Sequence, residues 1–75
     1  MVGVIFEFDP AKSESNRAKH GIDFIEAQRL WHDEDLVLVQ ARTPDELRFL
    51  VIAMVGGVHW TAVITPRREA IRLIS

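Results

Sequence analysis

The 75-residue chain contains no cysteine and no tyrosine, and it has only four glycines and three prolines. The absence of cysteine excludes disulfide bonds and every thiolate metal site. The absence of tyrosine excludes a phenol as a catalytic acid or as a stacking platform. No apolar run approaches the roughly 20 residues that a membrane span needs, and no basic and then apolar leader opens the chain, so we expect a small cytoplasmic protein.

The two halves of the chain carry opposite net charges. The formal net charge of −2 argues against a generic nucleic-acid coat, yet residues 1–40 carry −4 and residues 41–75 carry +2. The positive half has no lysine, and its basic residues are Arg42, Arg48, Arg67, Arg68 and Arg72. The planar fork of arginine binds phosphate or carboxylate in a bidentate manner. These side chains are therefore either phosphate ligands or members of an ordinary solvated surface.

Two helices are predicted in the first half of the chain, after a first strand at Val2–Phe8. Asp9 is placed to cap the first helix, which runs to about His20 and ends at Gly21, a residue that easily adopts the left-handed conformation. The sequence Asp23–Glu26 is similar to a capping box and opens the second helix, in which apolar residues recur at helical spacing.

Four strands are predicted after the helices, at residues 36–40, 47–55, 58–65 and 70–75. Two of them flank Gly56-Gly57, which indicates a tight hairpin because both turn positions accept positive φ. The predicted order is βααββββ. This order is typical of an α+β domain with two helices packed on one face of an antiparallel sheet.

A two-residue turn fixes the register of this hairpin and the face of each side chain. Val55 pairs with Val58 in this register, and every second residue from there along both strands is apolar, as expected for the face under the helices. The other face carries Arg48 and His59 and an apolar stripe of Leu50, Ile52, Met54 and Val63. We expect a partner chain or a further element to cover part of this stripe. If Arg67-Arg68 forms the next turn, Val63 pairs with Arg72, and Arg72 shares this face.

The residues able to carry chemistry are few. His20, His32 and His59 lack the spacing of a helical metal pair, so no metal site is indicated. Lys19 and His20 lie at the predicted C-terminal end of the first helix, where the helix dipole stabilises positive charge. The alternative is that they transfer a proton or contact a phosphate. Arg48 and Arg72 are either solvated strand residues or groups that stabilise phosphate charge.

Ordered motifs along the chain resemble the BrnT toxins of type II toxin–antitoxin systems. The first half contributes Phe6-Glu7-Phe8-Asp9-Pro10, Lys12, Asn16, Lys19-His20-Gly21, Phe24 and Ala27. The second half contributes Glu46-x-Arg48-Phe49, Gly56-Gly57, His59-Trp60-Thr61-Ala62-Val63-Ile64-Thr65 and Ile71-Arg72-Leu73-Ile74-Ser75. Pro66-Arg67-Arg68 stands where the family commonly has Tyr-Arg-Gly.

The resemblance implies a RelE-like small α+β fold and a ribonuclease that inhibits translation. It also implies neutralisation by a DNA-binding, BrnA-like antitoxin, and it implies no metal or other cofactor. We expect a single BrnT-like toxin domain over residues 1–75 without the usual C-terminal helix of the family. The expected assembly is a homodimer or a toxin–antitoxin hetero-oligomer.

The first interpretation is a metal-independent endoribonuclease that cleaves RNA with the 2′-OH of the substrate as nucleophile. Arg48 and Arg72 would hold the scissile phosphate, and His59 or His20, aided by Lys19, would move a proton.

Glu46 completes this candidate site, either as a base or by orienting the guanidinium of Arg48. The alternative interpretation is a catalytically inactive, truncated homologue that acts as an antitoxin-binding or oligomerisation module.

Overall fold

Two short helices pack on one face of a five-stranded sheet in the computed structural model, which describes residues 4–75. The strands are β1 (Phe6–Glu7), β2 (Val37–Ala41), β3 (Arg48–Val55), β4 (Val58–Pro66) and β5 (Ile71–Leu73). The helices are α1 (Pro10–His20) and α2 (Phe24–Ala27), and a 3₁₀ helix follows α2 at Gln28–His32. The predicted α+β class and the order βααββββ are confirmed. The first strand is shorter than predicted, and residues 1–3 lie outside the described residues.

Helix α1 has the predicted boundaries and caps. The carboxylate of Asp9 accepts a hydrogen bond from the backbone N–H of Ala11 at 2.9 Å. Gly21 ends the helix with φ 82°, and its N–H donates to the carbonyl of Arg17 at 2.8 Å. A buried contact then joins the two helices, because the hydroxyl of Ser13 accepts from the N–H of Phe24 at 2.9 Å.

The second helix differs from the prediction of one continuous α-helix. Asp23 caps it as expected and accepts from the N–H of Glu26 at 2.8 Å. The α-helical part is only four residues long, and the chain then winds more tightly as the 3₁₀ helix, which buries Leu30 to 1% exposure. Apolar spacing over so short a segment does not distinguish α from 3₁₀ winding. None of the helices in residues 4–75 is long and apolar enough to cross a membrane.

The strands lie in the order β1-β5-β4-β3-β2. The expectation of a wholly antiparallel sheet is wrong at one edge, where β1 runs parallel to β5 and Glu7 is the partner of Arg72. Parallel neighbours need a long crossover connection, and both helices and three strands lie between β1 and β5 in the sequence. Local sequence patterns do not report such a distant pairing.

The hairpin of β3 and β4 has the predicted register. Gly56 and Gly57 have φ 58° and 79°, and the pairing runs from Val55 with Val58 to Phe49 with Ile64. The positive φ at both turn positions is what a type I′ turn requires. The faces assigned to the side chains of this hairpin are therefore confirmed.

The register predicted between β4 and β5 is wrong by two residues. Arg72 pairs with Thr65 rather than with Val63. The reason is that the loop has four residues, 67–70, and is closed by a hydrogen bond from the N–H of Arg67 to the carbonyl of Ala70 at 2.8 Å. This segment has no glycine for a two-residue turn. A shift of two residues preserves the face, so Arg72 still lies on the side away from the helices.

The core lies between the helices and the sheet. Its buried residues are Ile22, Phe24, Ala27, Leu30, Val51, Ala53, Ala62, Ile64 and Leu73. Trp31 and Trp60 pack against this core. The ring of Trp31 packs edge to face against that of Phe6, with 4.8 Å between the ring centroids. This contact joins β1 to the helical layer.

Candidate active site

A polar row crosses the sheet on the face away from the helices, which we call the open face. The register places Glu7 of β1 beside Arg72 of β5, and Arg72 beside Thr65 of β4. The β3–β4 register, continued by one pair beyond Phe49, places Arg48 beside Thr65. Residues paired across neighbouring strands point to the same face. The two arginines therefore flank Thr65 on one line.

Glu7 holds two arginines. Its Oε1 accepts a hydrogen bond from Arg72 Nη1 at 3.3 Å and lies 3.5 Å from Arg67 Nε. The side chain of Arg72 is 33% exposed, so this pair is neither fully solvated nor fully buried. The shared carboxylate fixes both guanidinium groups at the same edge of the sheet.

Glu46, which lies in the loop between β2 and β3, holds the third arginine, Arg48. Its Oε2 lies 3.4 Å from Arg48 Nη2, and Thr43 closes the loop by donating its hydroxyl to the carbonyl of Glu46. The hydroxyl of Thr65 lowers the pKa of Glu46 most, and Arg48 and Arg67 lower it further, against a partial desolvation that raises it. Glu46 therefore stays ionised at neutral pH.

Thr65 lies underneath these charged groups and is 2% exposed. Its hydroxyl donates to the carbonyl of Leu47 at 2.6 Å, which ties the loop to β4. The same hydroxyl carries a single proton, and rotation about the C–O bond directs this proton to either the Leu47 carbonyl or the Glu46 carboxylate. In this structure the hydroxyl bonds the Leu47 carbonyl, and its alternative orientation towards the Glu46 carboxylate lowers the pKa of Glu46.

Two buried polar atoms of this site have no hydrogen-bond partner within the described residues. They are Arg48 Nε, which is a donor, and Glu46 Oε1, which is an acceptor. Buried polar atoms are almost always paired, and exceptions occur at functional sites. The site can thus donate and accept a further hydrogen bond without breaking one that is already made. We call the whole group the arginine cluster, and its members are Glu7, Glu46, Arg48, Thr65, Arg67 and Arg72.

The structure brings together three of the six residues that the sequence singled out, namely Arg48, Arg72 and Glu46. His59 lies on the same face but six residues along β4 from Thr65. At the strand rise of about 3.4 Å per residue this separation is roughly 20 Å.

His59 lies instead at the hairpin end of the sheet, near Asp33. The backbone N–H groups of Asp35 and Met54 lower the pKa of Asp33, and His59 lowers it slightly more. The carboxylate accepts from the N–H of Met54 at 2.8 Å, so it ties the end of the helical segment to β3. This arrangement gives Asp33 a structural role.

Lys19 and His20 lie in the helical layer, on the opposite side of the sheet from the arginine cluster. Both are exposed at the end of α1. His20 lines a pocket of about 170 Å³ with Asn16, Trp60 and Ser75 among its neighbours. The geometry does not bring either residue to Arg48 or Arg72.

Sequence reasoning missed two members of the arginine cluster as site residues, Glu7 and Thr65, and named Arg67 only as one of five arginines able to bind phosphate. Glu7 lies between Phe6 and Phe8, so the alternation of side chains along a strand indicates only that Glu7 faces away from the core. Its pairing with Arg72 follows from the parallel edge of the sheet, which the sequence did not reveal. Among residues 4–75, no three His, Asp or Glu side chains are grouped closely enough to hold a metal ion.

A comparison with known families identifies the class of protein. The sequence model of a ribonuclease toxin of type II toxin–antitoxin systems matches residues 8–75. The chain therefore belongs to the BrnT toxin family, as its motifs predicted. The matched range contains every member of the arginine cluster except Glu7. A search of the curated proteins found no match.

Proposed function

We propose that the protein is a metal-independent endoribonuclease toxin that cleaves RNA at the arginine cluster and so inhibits translation. Membership of the BrnT family supports the ribonuclease and toxin parts of this proposal. The observation that carries the choice of site is the pair Arg48 and Arg72, which flank Thr65 on one line across the open face.

The reaction needs little covalent chemistry from the protein. The 2′-OH of a ribose attacks the adjacent phosphorus, the bond to the 5′-oxygen breaks, and the products carry a 2′,3′-cyclic phosphate and a 5′-OH. One proton leaves the 2′-oxygen and one reaches the 5′-oxygen. Negative charge grows on the two non-bridging phosphate oxygens, where guanidinium donors stabilise it most.

The arginines are held in place before any substrate binds. Glu7 holds Arg72, and Glu46 holds Arg48, at 3.3 Å and 3.4 Å respectively. Arg48 Nε has no partner but is buried, so it can donate to a phosphate oxygen once the groups that cover it move aside, while the ion pair with Glu46 persists. Because the ion pairs hold both guanidinium groups in the free protein, little of the binding energy is lost in ordering these two side chains.

Glu46 is the group best placed to accept the proton of the 2′-OH. Its lowered pKa keeps it ionised, and its Oε1, although buried in the free protein, has no hydrogen-bond partner. The distance of His59 from the arginine cluster, and the position of Lys19 and His20 behind the sheet, favour Glu46 for this step. The role of those three residues in moving a proton stays a prediction.

The partner of a type II toxin is an antitoxin, which follows from the family. We propose that this antitoxin is a DNA-binding, BrnA-like protein and that the toxin acts in the cytoplasm, where its RNA substrate is. A RelE-like fold is part of the same proposal. The apolar residues of the open face, among them Met54 at 41% exposure, support a functional state that is a homodimer or a hetero-oligomer.

The test is cleavage of a short synthetic RNA, free and on translating ribosomes, with and without EDTA. The proposal predicts equal rates in both conditions, a 2′,3′-cyclic phosphate on the product, and no cleavage where the attacking ribose is replaced by 2′-deoxyribose. Loss of activity in EDTA with recovery on adding a divalent ion would contradict metal independence. A protein that binds the antitoxin but cleaves no RNA would instead support the non-catalytic alternative.

A further inference from the structure

Strand β2 forms one edge of the sheet and exposes large apolar side chains. Val37, Leu38 and Val39 are 50%, 55% and 43% exposed. The opposite edge is formed by β1, which has only two residues. Natural edge strands are usually short, charged, or interrupted by proline, because a free edge pairs with other chains. Val37–Ala41 has none of these protections.

The hairpin geometry indicates which backbone groups of β2 point outward. Val55 and Val58 close a two-residue turn and form a hydrogen-bonded pair, so Leu50 and Ile52 direct their backbone groups towards β2. The N–H of Met54, which bonds Asp33 at 2.8 Å on that side, agrees with this alternation.

The partners of Leu50 and Ile52 are Val39 and Val37, whose backbone groups therefore point inward. By alternation, Leu38 and Gln40 present their N–H and C=O groups at the free edge.

The charges that flank β2 favour an antiparallel partner with the same sequence. Glu34 and Asp35 precede the strand, and Arg42 follows it. Within residues 4–75 none of the three forms a salt bridge. In an antiparallel pair of identical strands the acidic end of each copy lies near Arg42 of the other, whereas a parallel pair would bring like charges together.

We propose that two copies of this chain pair through β2 about a two-fold axis that is perpendicular to the sheet and passes midway between the two Leu38 residues. This register pairs Leu38 with its own counterpart and Val37 with Val39 of the second copy. It uses the outward N–H and C=O groups of Leu38 and the outward N–H of Gln40, which faces the carbonyl of Leu36 in the second copy, since the N–H of Leu36 already donates to Asp33. The pairing joins the two sheets into one of ten strands. The pairing lies in the plane of the sheet, so it leaves the arginine cluster accessible in both copies. The inference does not depend on the proposed ribonuclease activity.

The absence of cysteine makes a direct test of this register available. Leu38→Cys places two thiols on a hydrogen-bonded antiparallel pair, where the Cα atoms are about 5.5 Å apart, a distance that suits a disulfide. Ile25→Cys is the control, because Ile25 is 66% exposed but lies on α2. We expect a covalent dimer under mild oxidation with Leu38→Cys and not with Ile25→Cys. Equal cross-linking of the two variants, or none with Leu38→Cys, overturns the proposal.

The second test measures dimerisation of the native chain by sedimentation velocity. The measurement covers micromolar concentrations, because an interface of this small size is weak. Leu38→Pro removes an outward N–H and keeps the pairing with β3, so it should fold normally and raise the dimer dissociation constant about tenfold or more. Arg42→Glu should also weaken the dimer, and Glu34→Arg combined with Arg42→Glu should restore it. A wild-type chain that stays monomeric throughout contradicts the proposal. So does a Leu38→Cys variant that cross-links only to a cysteine-bearing antitoxin.

Discussion

Arg72 donates a hydrogen bond to Glu7 at 3.3 Å although 65 residues of sequence separate them. The contact exists because β1 runs parallel to β5 and places the two residues side by side. A strand of two residues thereby fixes one arginine of the candidate site. The same carboxylate oxygen also lies 3.5 Å from Arg67 Nε, so Glu7 organises this whole edge of the arginine cluster.

Glu7→Gln keeps the size of this side chain and removes its charge. We expect the fold to be retained and kcat for RNA cleavage to fall about tenfold, since a misplaced arginine stabilises the transition state less well. A matched control is Glu14→Gln, an exposed position on α1. Glu7 acts as a positioning residue in this account, so Glu7→Asp should recover part of kcat. Equal rates in Glu7→Gln and the wild type would remove Glu7 from the site.

Thr65 supports the loop that carries Glu46 and Leu47. Thr65→Val keeps the shape but leaves the Leu47 carbonyl without its donor, which should lower the free energy of unfolding by about 1–2 kcal/mol. Thr65→Ser retains the hydroxyl and should lose less. Urea denaturation of both variants measures the difference. A Thr65→Val protein as stable as Thr65→Ser would mean that the hydrogen bond contributes nothing.

The hairpin turn depends on backbone conformation alone. A Cβ atom added at Gly56 would meet no atom within 4 Å, so only its φ of 58° resists substitution. Gly56→Val should therefore cost about 1–2 kcal/mol, whereas Gly56→Asn should be nearly neutral because asparagine tolerates this conformation. Thermal unfolding of the pair measures this contrast. Equal melting temperatures for both variants would exclude strain at this position.

The ion pair of Glu46 and Arg48 should persist into acid. The pKa of Glu46 lies below its ordinary value of 4.5, chiefly through the hydroxyl of Thr65 and then through Arg48. A depressed pKa in the folded state adds stability above the unfolded value, and this stability is lost as pH falls through the folded value. The stability difference between the wild type and Glu46→Gln should be constant at neutral pH and should shrink below about pH 4.5. A carboxyl midpoint at or above 4.5 by NMR would contradict this.

The parts of the fold that the sequence predicted are local. Asp9 and Gly21 define the ends of α1 through contacts within a few residues, and Gly56-Gly57 fixes the β3–β4 register because a two-residue turn allows no other. The face of Arg48 followed from that register. These predictions needed only chain alternation and turn chemistry.

The remaining parts depend on distant pairing. Glu7 pairs with Arg72 across the parallel edge of the sheet. No sequence pattern in β1 or in β5 indicates that these two strands are neighbours. The four-residue loop at residues 67–70 set the β4–β5 register, and its length was not evident without a turn glycine. Thr65 became a site residue only once this register placed it between two arginines.

The central claim is that Arg48 and Arg72 hold the scissile phosphate, and replacing each with lysine tests it most directly. Lysine keeps the positive charge and loses the bidentate fork. We expect Arg48→Lys and Arg72→Lys to unfold at the wild-type urea concentration and to cleave RNA about 10²–10³ times more slowly, as when an oxyanion donor is removed. Arg17→Lys, on the exposed surface of α1, should cleave at the wild-type rate. Wild-type cleavage rates in both cluster variants would contradict the account and return attention to Lys19 and His20.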